Sequence, residues 1–92
     1  MNIKGIHHIA IICSNYSVSK DFYVNKLGFE IIAENYREKR NSYKLDLSVA
    51  GKYQIELFSF PDAPPRPSYP ESQGLRHLSF AVDNIESAVS TL

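Results

Sequence analysis

A twelve-residue segment that occurs twice constrains this chain more than any other feature. Residues 5–16 read GIHHIAIICSNY and residues 74–85 read GLRHLSFAVDNI, and the two align without a gap at an offset of 69. Each copy is a run of branched and aromatic residues closed by an Asn, which predicts a strand followed by a helix N-cap. Repetition at a fixed offset indicates two copies of one supersecondary unit. His8 and His77 occupy matching positions in the two copies, so we look for chemistry there.

The pattern after the first copy predicts one helix and three more strands. Alternation in the first strand, over residues 5–13, places His8 on one face and His7 on the other. Asn15 should cap a helix of about a dozen residues that ends at Gly28. We expect the buried stripe of this helix to contain Val18, Phe22, Val24 and Leu27, with Tyr23 close by. The later strands are predicted over residues 29–36, 43–49 and 53–60. In the strand over 43–49, one face should carry Tyr43, Leu45, Leu47 and Val49. In the strand over 53–60, Tyr53 should share the face of Ile55 and Leu57 rather than that of Glu56.

The chain therefore divides into a first βαβββ module (1–60), a connector (61–73) and the start of a second module (74–92). The connector lies in the stretch that holds all five prolines, which excludes a helix or an inner strand. The second module should begin with a strand over residues 75–82 and a helix from Asn84. Because three strands of the second copy have no counterpart here, we expect a fragment of a protein of about 130 residues. The alternative is a naturally short chain that completes its sheet through a partner.

Composition excludes several classes of function. The chain has 92 residues with 10 basic and 10 acidic side chains, so it has no basic surface typical of nucleic-acid or anionic-membrane binding. Its longest apolar run, Ile9–Cys13, is far too short to span a bilayer. The N-terminus does not read as a signal peptide, and Cys13 has no second cysteine to pair with. These observations predict a cytoplasmic protein.

Three polar residues in predicted strands form the candidate site: His8, Glu56 and His77. A carboxylate in a partly apolar strand costs several kcal/mol unless it is paired or bound to a metal. Imidazole nitrogens and a carboxylate oxygen suit Zn²⁺, Ni²⁺, Co²⁺, Mn²⁺ or Fe²⁺. The competing interpretation is that each histidine is a hydrogen-bonded core residue and that Glu56 lies on an open sheet face. The matching positions of the two histidines favour the metal.

Other reactive side chains are assigned simpler roles. His7 has the opposite parity to His8 and no counterpart in the second copy, so we expect it to be structural or at the surface. Cys13 is expected to be a small buried apolar residue. Arg37, Lys39 and Arg40 are interpreted as a solvated turn, with binding of an anionic substrate as a second possibility.

The segments HHIAIICSNYSVSKDFYVNKLGF, IELFSF and GLRHLSFAVDNI resemble the vicinal-oxygen-chelate superfamily, and within it glyoxalase I and the small bacterial glyoxalase/bleomycin-resistance proteins. The resemblance covers essentially the whole chain. It implies an α+β fold in which paired βαβββ modules form a curved open sheet around one divalent metal. It also implies that His8 and His77 are the first-strand ligands and that Glu56 is the last-strand ligand of the first module. The fourth ligand, a second Glu, would lie 69 residues after Glu56, beyond Leu92.

The resemblance further implies a function. A glyoxalase I-type lyase or isomerase acts on the hemithioacetal of a 2-oxoaldehyde and a thiol; its metal stabilises an enediolate while a carboxylate moves a proton. Glu56 would then be a catalytic residue as well as a ligand, and the modules would pair across a homodimer. Without the second Glu, this chain alone is not expected to be a competent enzyme. The alternatives are a metal-free, drug-sequestering protein of the bleomycin-resistance type and another metalloenzyme of the superfamily, such as an epimerase, a thiol transferase or a dioxygenase.

Overall fold

The computed structural model describes all 92 residues, Met1–Leu92, and its centre is one four-stranded sheet. The strand order is β1-β4-β3-β2, with β1 parallel to β4 and the other two pairs antiparallel. The strands are β1 (Ile9–Cys13), β2 (Glu30–Arg37), β3 (Ser42–Val49) and β4 (Lys52–Ser59), and the helices are α1 (Tyr16–Lys20) and α2 (Ile85–Ser90). The sequence of β1, α1, β2, β3 and β4 confirms the predicted βαβββ order and the α+β class. None of the helices has the length and apolar content needed to cross a bilayer.

Helix α1 begins where the sequence predicted. The Asn15 side chain accepts a hydrogen bond from the backbone N–H of Val18, which satisfies one free donor of the first turn. The helix then widens into π-helical hydrogen bonding over Asp21–Lys26 and ends before Gly28, whose φ of 76° suits a residue without a Cβ. The predicted buried stripe is wrong at Val18 and Phe22, which are 64% and 38% exposed, whereas Val24 and the neighbouring Tyr23 pack against the core as expected.

The core lies on one side of the sheet. Its four fully buried side chains are Leu45, Leu47, Ile55 and Leu57. Partly buried residues from β1 and the helical segment cover them, including Ile11, Cys13, Tyr16, Tyr23 and Val24. Tyr43 and Val49 share this face, as alternation predicted for β3. The opposite face of the sheet has no helix over it and carries the polar side chains of β3 and β4.

Two β-bulges interrupt the alternation and change which residues share a face. Ile31 pairs with Leu47 but Ala33 pairs with Asp46, so Ile32 is the extra residue in β2. Leu47 pairs with Ile55 but Ser48 pairs with Tyr53, so Gln54 is the extra residue in β4. The expectation that Tyr53 shares the face of Ile55 is therefore wrong: the bulge places Tyr53 on the open face, beside Glu56.

The second copy of the repeat is only partly regular. Asn84 accepts a hydrogen bond from Ser87 N–H and caps α2, as predicted. Residues 75–82 do not form the predicted strand, because a strand requires backbone hydrogen bonds to a neighbouring strand, and no strand of the sheet pairs with them. The segment still contacts the first module, since the Phe80 ring packs edge-on against Phe29 with centroids 5.3 Å apart.

Candidate metal centre

Glu56 lies near the middle of β4 on the open face and is the centre of a polar cluster. Its side chain is 14% exposed. The phenol of Tyr53 donates a hydrogen bond to Glu56 Oε2 and also lies 3.3 Å from Asp46 Oδ1. This hydrogen bond is the main cause that lowers the pKa of Glu56, with further contributions from His8 and Lys44. Burial and the neighbouring carboxylates raise the pKa of Tyr53, so the pair consists of a neutral phenol and a carboxylate anion.

His8 lies directly ahead of β1, whose first residue, Ile9, pairs with Ile55. Its imidazole stacks on the Tyr53 ring with centroids 5.3 Å apart and an interplanar angle of 1°. Nε2 of His8 is 3.5 Å from Oε2 of Glu56. Two donors bound tetrahedrally to one ion at the usual distances are about 3.4 Å apart, so this nitrogen and this oxygen have a separation that fits a shared divalent cation.

His7 is a neighbour of the site that sequence alternation missed. It was expected to point away, but its Nδ1 lies 2.8 Å from Nδ1 of His8, and its ring packs edge-on against Tyr53 with centroids 5.5 Å apart. His7 is exposed, as expected of a surface residue, but its assignment to the opposite face is wrong because the strand starts at Ile9 and strict alternation does not extend to residues 5–8. When His8 carries its proton on Nδ1, it donates to His7 and keeps the Nε2 lone pair toward Glu56.

Lys44 supplies a positive charge next to the carboxylates of the cluster. Its Nζ lies 3.5 Å from Asp46 Oδ1 and 3.6 Å from Glu56 Oε2. One ammonium thus lies between two carboxylates. A cation bound by Glu56 would compete with Lys44 for the same oxygen, and Asp46 offers the ammonium an alternative partner. Lys44 and Asp46 could have been found from the sequence, because both alternate with the buried Leu45 and Leu47.

His77 is not part of this cluster. It is exposed in the unpaired 75–82 segment, and no group of three or more His, Cys, Asp or Glu side chains lies close enough together to hold a metal ion. The structure therefore brings His8 and Glu56 together and leaves His77 apart. The three-residue ligand set stays a prediction that requires the second module's first strand to take its place beside the first.

Comparison with known protein families identifies the superfamily of this chain. The family model described as the Glyoxalase/Bleomycin resistance protein/Dioxygenase superfamily matches residues 5–92. The chain belongs to this superfamily. Along its full length it is 63% identical to the protein YwkD of Bacillus subtilis and 56% identical to the protein YaeR of Escherichia coli, and it spans 72% and 71% of their lengths.

Solved structures of the superfamily share the fold. A glyoxalase family protein from Enterococcus faecalis superimposes with a TM-score of 0.87 at 49% identity, over 99% of this chain and 71% of that one. The fosfomycin resistance protein FosX from Listeria monocytogenes, solved with Mn(II) and a dihydroxypropylphosphonic acid, superimposes with a TM-score of 0.74 at 17% identity, over 98% and 68% of the two chains. TnmS3, an antibiotic binding protein from Streptomyces, gives a TM-score of 0.65 at 23% identity, over 99% and 69%. At these last two identities the likeness concerns the fold alone.

Proposed function

We propose that this superfamily member is a metal-dependent enzyme whose site is built on His8 and Glu56, and that His77 joins them as a third ligand. The observation that carries the proposal is the 3.5 Å separation of His8 Nε2 and Glu56 Oε2 on an open sheet face. An imidazole and a carboxylate suit Ni²⁺, Zn²⁺, Co²⁺, Mn²⁺ or Fe²⁺. When bound, such an ion acts as a Lewis acid on the oxygens of a substrate.

The reaction we propose is of the glyoxalase I type, with the hemithioacetal of a 2-oxoaldehyde and a thiol as the substrate. The residues of this chain supply a carboxylate for proton movement and the donors that orient it. Glu56 is a carboxylate anion to which the Tyr53 phenol donates a hydrogen bond, and a carboxylate oxygen can accept a proton from a carbon next to a carbonyl. His7 holds the His8 ring, and Tyr53 stacks beneath that ring, so the two site residues keep a fixed relative position.

Two other functions of the superfamily have specific support. Lys44 already neutralises Glu56 in part, which is compatible with a metal-free binding protein, and TnmS3 is an antibiotic binding protein with the same fold. FosX, a fosfomycin resistance protein solved with Mn(II) and a phosphonic acid, has the same fold and supports another metal-dependent function as the second alternative. We favour a metal-dependent reaction because a binding protein has no need of an imidazole held beside a carboxylate.

The test combines metal content with turnover. A form of the protein that includes the second glutamate expected 69 residues after Glu56, together with its His8→Ala, Glu56→Gln and His77→Ala variants, is loaded with each candidate ion, dialysed and analysed for bound metal. The same samples are assayed with methylglyoxal and glutathione. We expect the parent to retain about one ion per site and the first two variants to lose metal and any turnover together.

Matched controls separate this proposal from its alternatives. Glu30→Gln removes a carboxylate from an exposed position at the start of β2 and should change neither metal content nor turnover. If His8→Ala retains all of the metal, the site is not built on His8. In a form of the protein that includes the expected second glutamate, metal binding without turnover of the hemithioacetal would reject the glyoxalase I reaction and favour another metal-dependent reaction of the superfamily.

A further inference from the structure

The open face of the sheet carries a second polar feature, beyond the candidate metal centre. Phe58 follows Glu56 by two residues in β4, and Phe60 comes after it; their rings stack with centroids 5.8 Å apart. The Arg37 guanidinium carbon lies 5.5 Å from the Phe58 ring centroid and 6.0 Å from that of Phe60. The Arg40 guanidinium carbon lies 4.8 Å from the Phe60 centroid. Two cations therefore lie over one aromatic floor.

Neither arginine is paired with a carboxylate. The ion pairs of the chain join His8 to Glu56, Lys20 to Glu34, and Lys44 to Asp46 and Glu56. The Nε of Arg37 is buried without any hydrogen-bond acceptor. The one hydrogen bond that its guanidinium makes is a long one, 3.4 Å from Nη2 to the hydroxyl of Ser42.

In this arrangement, strong N–H donors of the guanidinium groups make no hydrogen bond. A buried charged donor without an acceptor costs free energy, and contact with aromatic faces recovers only part of it. Folded proteins pair nearly all buried donors, so an unpaired Nε needs an explanation. The Nε atom itself is shielded from solvent, but Nη1 is not buried and makes no hydrogen bond, so an anion could supply acceptors to the outer part of the guanidinium.

The strand register places Arg37 on the same face as Glu56. Arg37 pairs with Ser42, and Ser42 alternates with Lys44 and Asp46, which contact the Glu56 cluster. Phe58 pairs with Lys44. Two residues of strand separate Phe58 from Glu56, or roughly 7 Å. A small molecule could contact both Glu56 and the Arg37 guanidinium.

We propose that Arg37, assisted by Arg40, forms an oxyanion subsite on the floor made by Phe58 and Phe60, and that it binds a carboxylate, phosphate or phosphonate group of the substrate. This rests on the proposed function, because Glu56 acts at the reacting end while Arg37 holds the anionic end. Arginine suits this role because its planar fork matches two oxygens of such a group, whereas lysine offers a point charge.

The experiment measures anion binding independently of any reaction. The ¹⁵N-labelled chain is titrated with inorganic phosphate, and separately with acetate, at constant ionic strength, while the side-chain Nε–Hε resonance of Arg37 and the neighbouring amides are followed. Arg37→Gln should weaken binding of the preferred anion about tenfold or more, as expected for loss of charge-assisted hydrogen bonds. Arg37→Lys, which keeps the charge, should weaken it less. Lys39→Gln removes the same charge from the adjacent turn and should leave affinity unchanged.

Either anion supports the subsite if its binding depends on Arg37: tighter phosphate indicates a phosphate or phosphonate substrate, and tighter acetate a carboxylate. Equal losses in Arg37→Gln and Lys39→Gln, or no loss in either, would overturn the proposal. Metal content is measured on the same samples. Loss of phosphate binding in Arg37→Gln with full metal content supports the subsite whatever reaction the metal centre performs. Metal binding without any Arg37-dependent anion binding rejects the subsite alone.

Discussion

The phenol of Tyr53 donates its hydrogen bond to the Glu56 carboxylate because Gln54 bulges out of the strand between them. Without the bulge, residues three apart in a strand would lie on opposite faces. This one irregularity gives Glu56 a donor that stabilises its ionised form and gives His8 a ring to stack on.

Removing this phenol should raise the pKa of Glu56. The folded-state pKa of Glu56 is lowered, so its contribution to stability is present above the unfolded value and lost as the pH falls through the folded value. Tyr53→Phe should therefore lower the free energy of unfolding at neutral pH by about 1–2 kcal/mol, with a smaller difference below the folded pKa. Urea denaturation at several pH values measures this. Tyr36→Phe removes a phenol that bonds to Asn41 and is the control; an equal pH dependence in both variants would contradict the prediction.

His7→Ala should weaken metal binding without abolishing it. The imidazole of His7 contacts the ring nitrogen of His8 that faces away from Glu56, and loss of such an orienting partner typically reduces metal affinity by about 10- to 100-fold. His8→Ala should have a larger effect, since it removes the ligand itself. Competition with a chromogenic chelator gives both affinities. If His7→Ala binds metal as tightly as the parent, the contact between the two rings has no role in orienting His8.

Ala50→Asn should stabilise the fold. The two-residue turn between β3 and β4 has positive φ at both positions, 52° at Ala50 and 80° at Gly51. Asn tolerates this conformation better than Ala, and Asn-Gly is favoured in such turns. We expect the free energy of unfolding to rise by about 0.5–1 kcal/mol. Thermal denaturation tests this, and Ala63→Asn in the connector serves as the control. A lower midpoint for Ala50→Asn would show that the turn is not strained.

Glu34→Gln should make the free energy of unfolding less dependent on pH in the acidic range. Glu34 accepts hydrogen bonds from Lys20 and Tyr16 across the helix and β2, and the Lys20 contact is the main cause that lowers its pKa. Its contribution is therefore present above the unfolded pKa and lost as the pH falls through the lower folded value. Because the pair is partly exposed, the loss at neutral pH should be under about 1 kcal/mol. Denaturation at pH 7 and at acidic pH, with Glu30→Gln as the control, measures it. An equal loss at both pH values would rule out the ion pair as the cause.

The sequence was sufficient for the order of elements and for the helix caps. Hydrophobic runs and the residues Asn15, Gly28 and Asn84 are local signals, and each marks a boundary that the structure confirms. The superfamily also followed from the sequence, through the segments around His8 and Glu56.

The features that the sequence did not predict depend on the pairing register of the strands. Bulged and regular pairings of these strands have nearly equal local propensity. The identity of residue 54 as Gln therefore does not indicate that Tyr53 changes face. The start of β1 at Ile9 depends on where β4 offers partners, and it determines that His7 lies beside His8. The expectation for residues 75–82 failed for the same reason, because pairing is a property of two segments.

The sheet has a covered face and an open face, and the sequence provides packing on the first and chemistry on the second. In β3 and β4 the covered positions, such as Leu45 and Leu57, provide the packing, while the open positions alternate with them one residue away. A substitution at Lys44 or Phe58 can alter the chemistry of the face without leaving a cavity in the core. On such a sheet, point mutations at open positions can introduce new ligands with little loss of stability. Insertion or deletion of a single residue near Gln54 would instead exchange the covered and open positions.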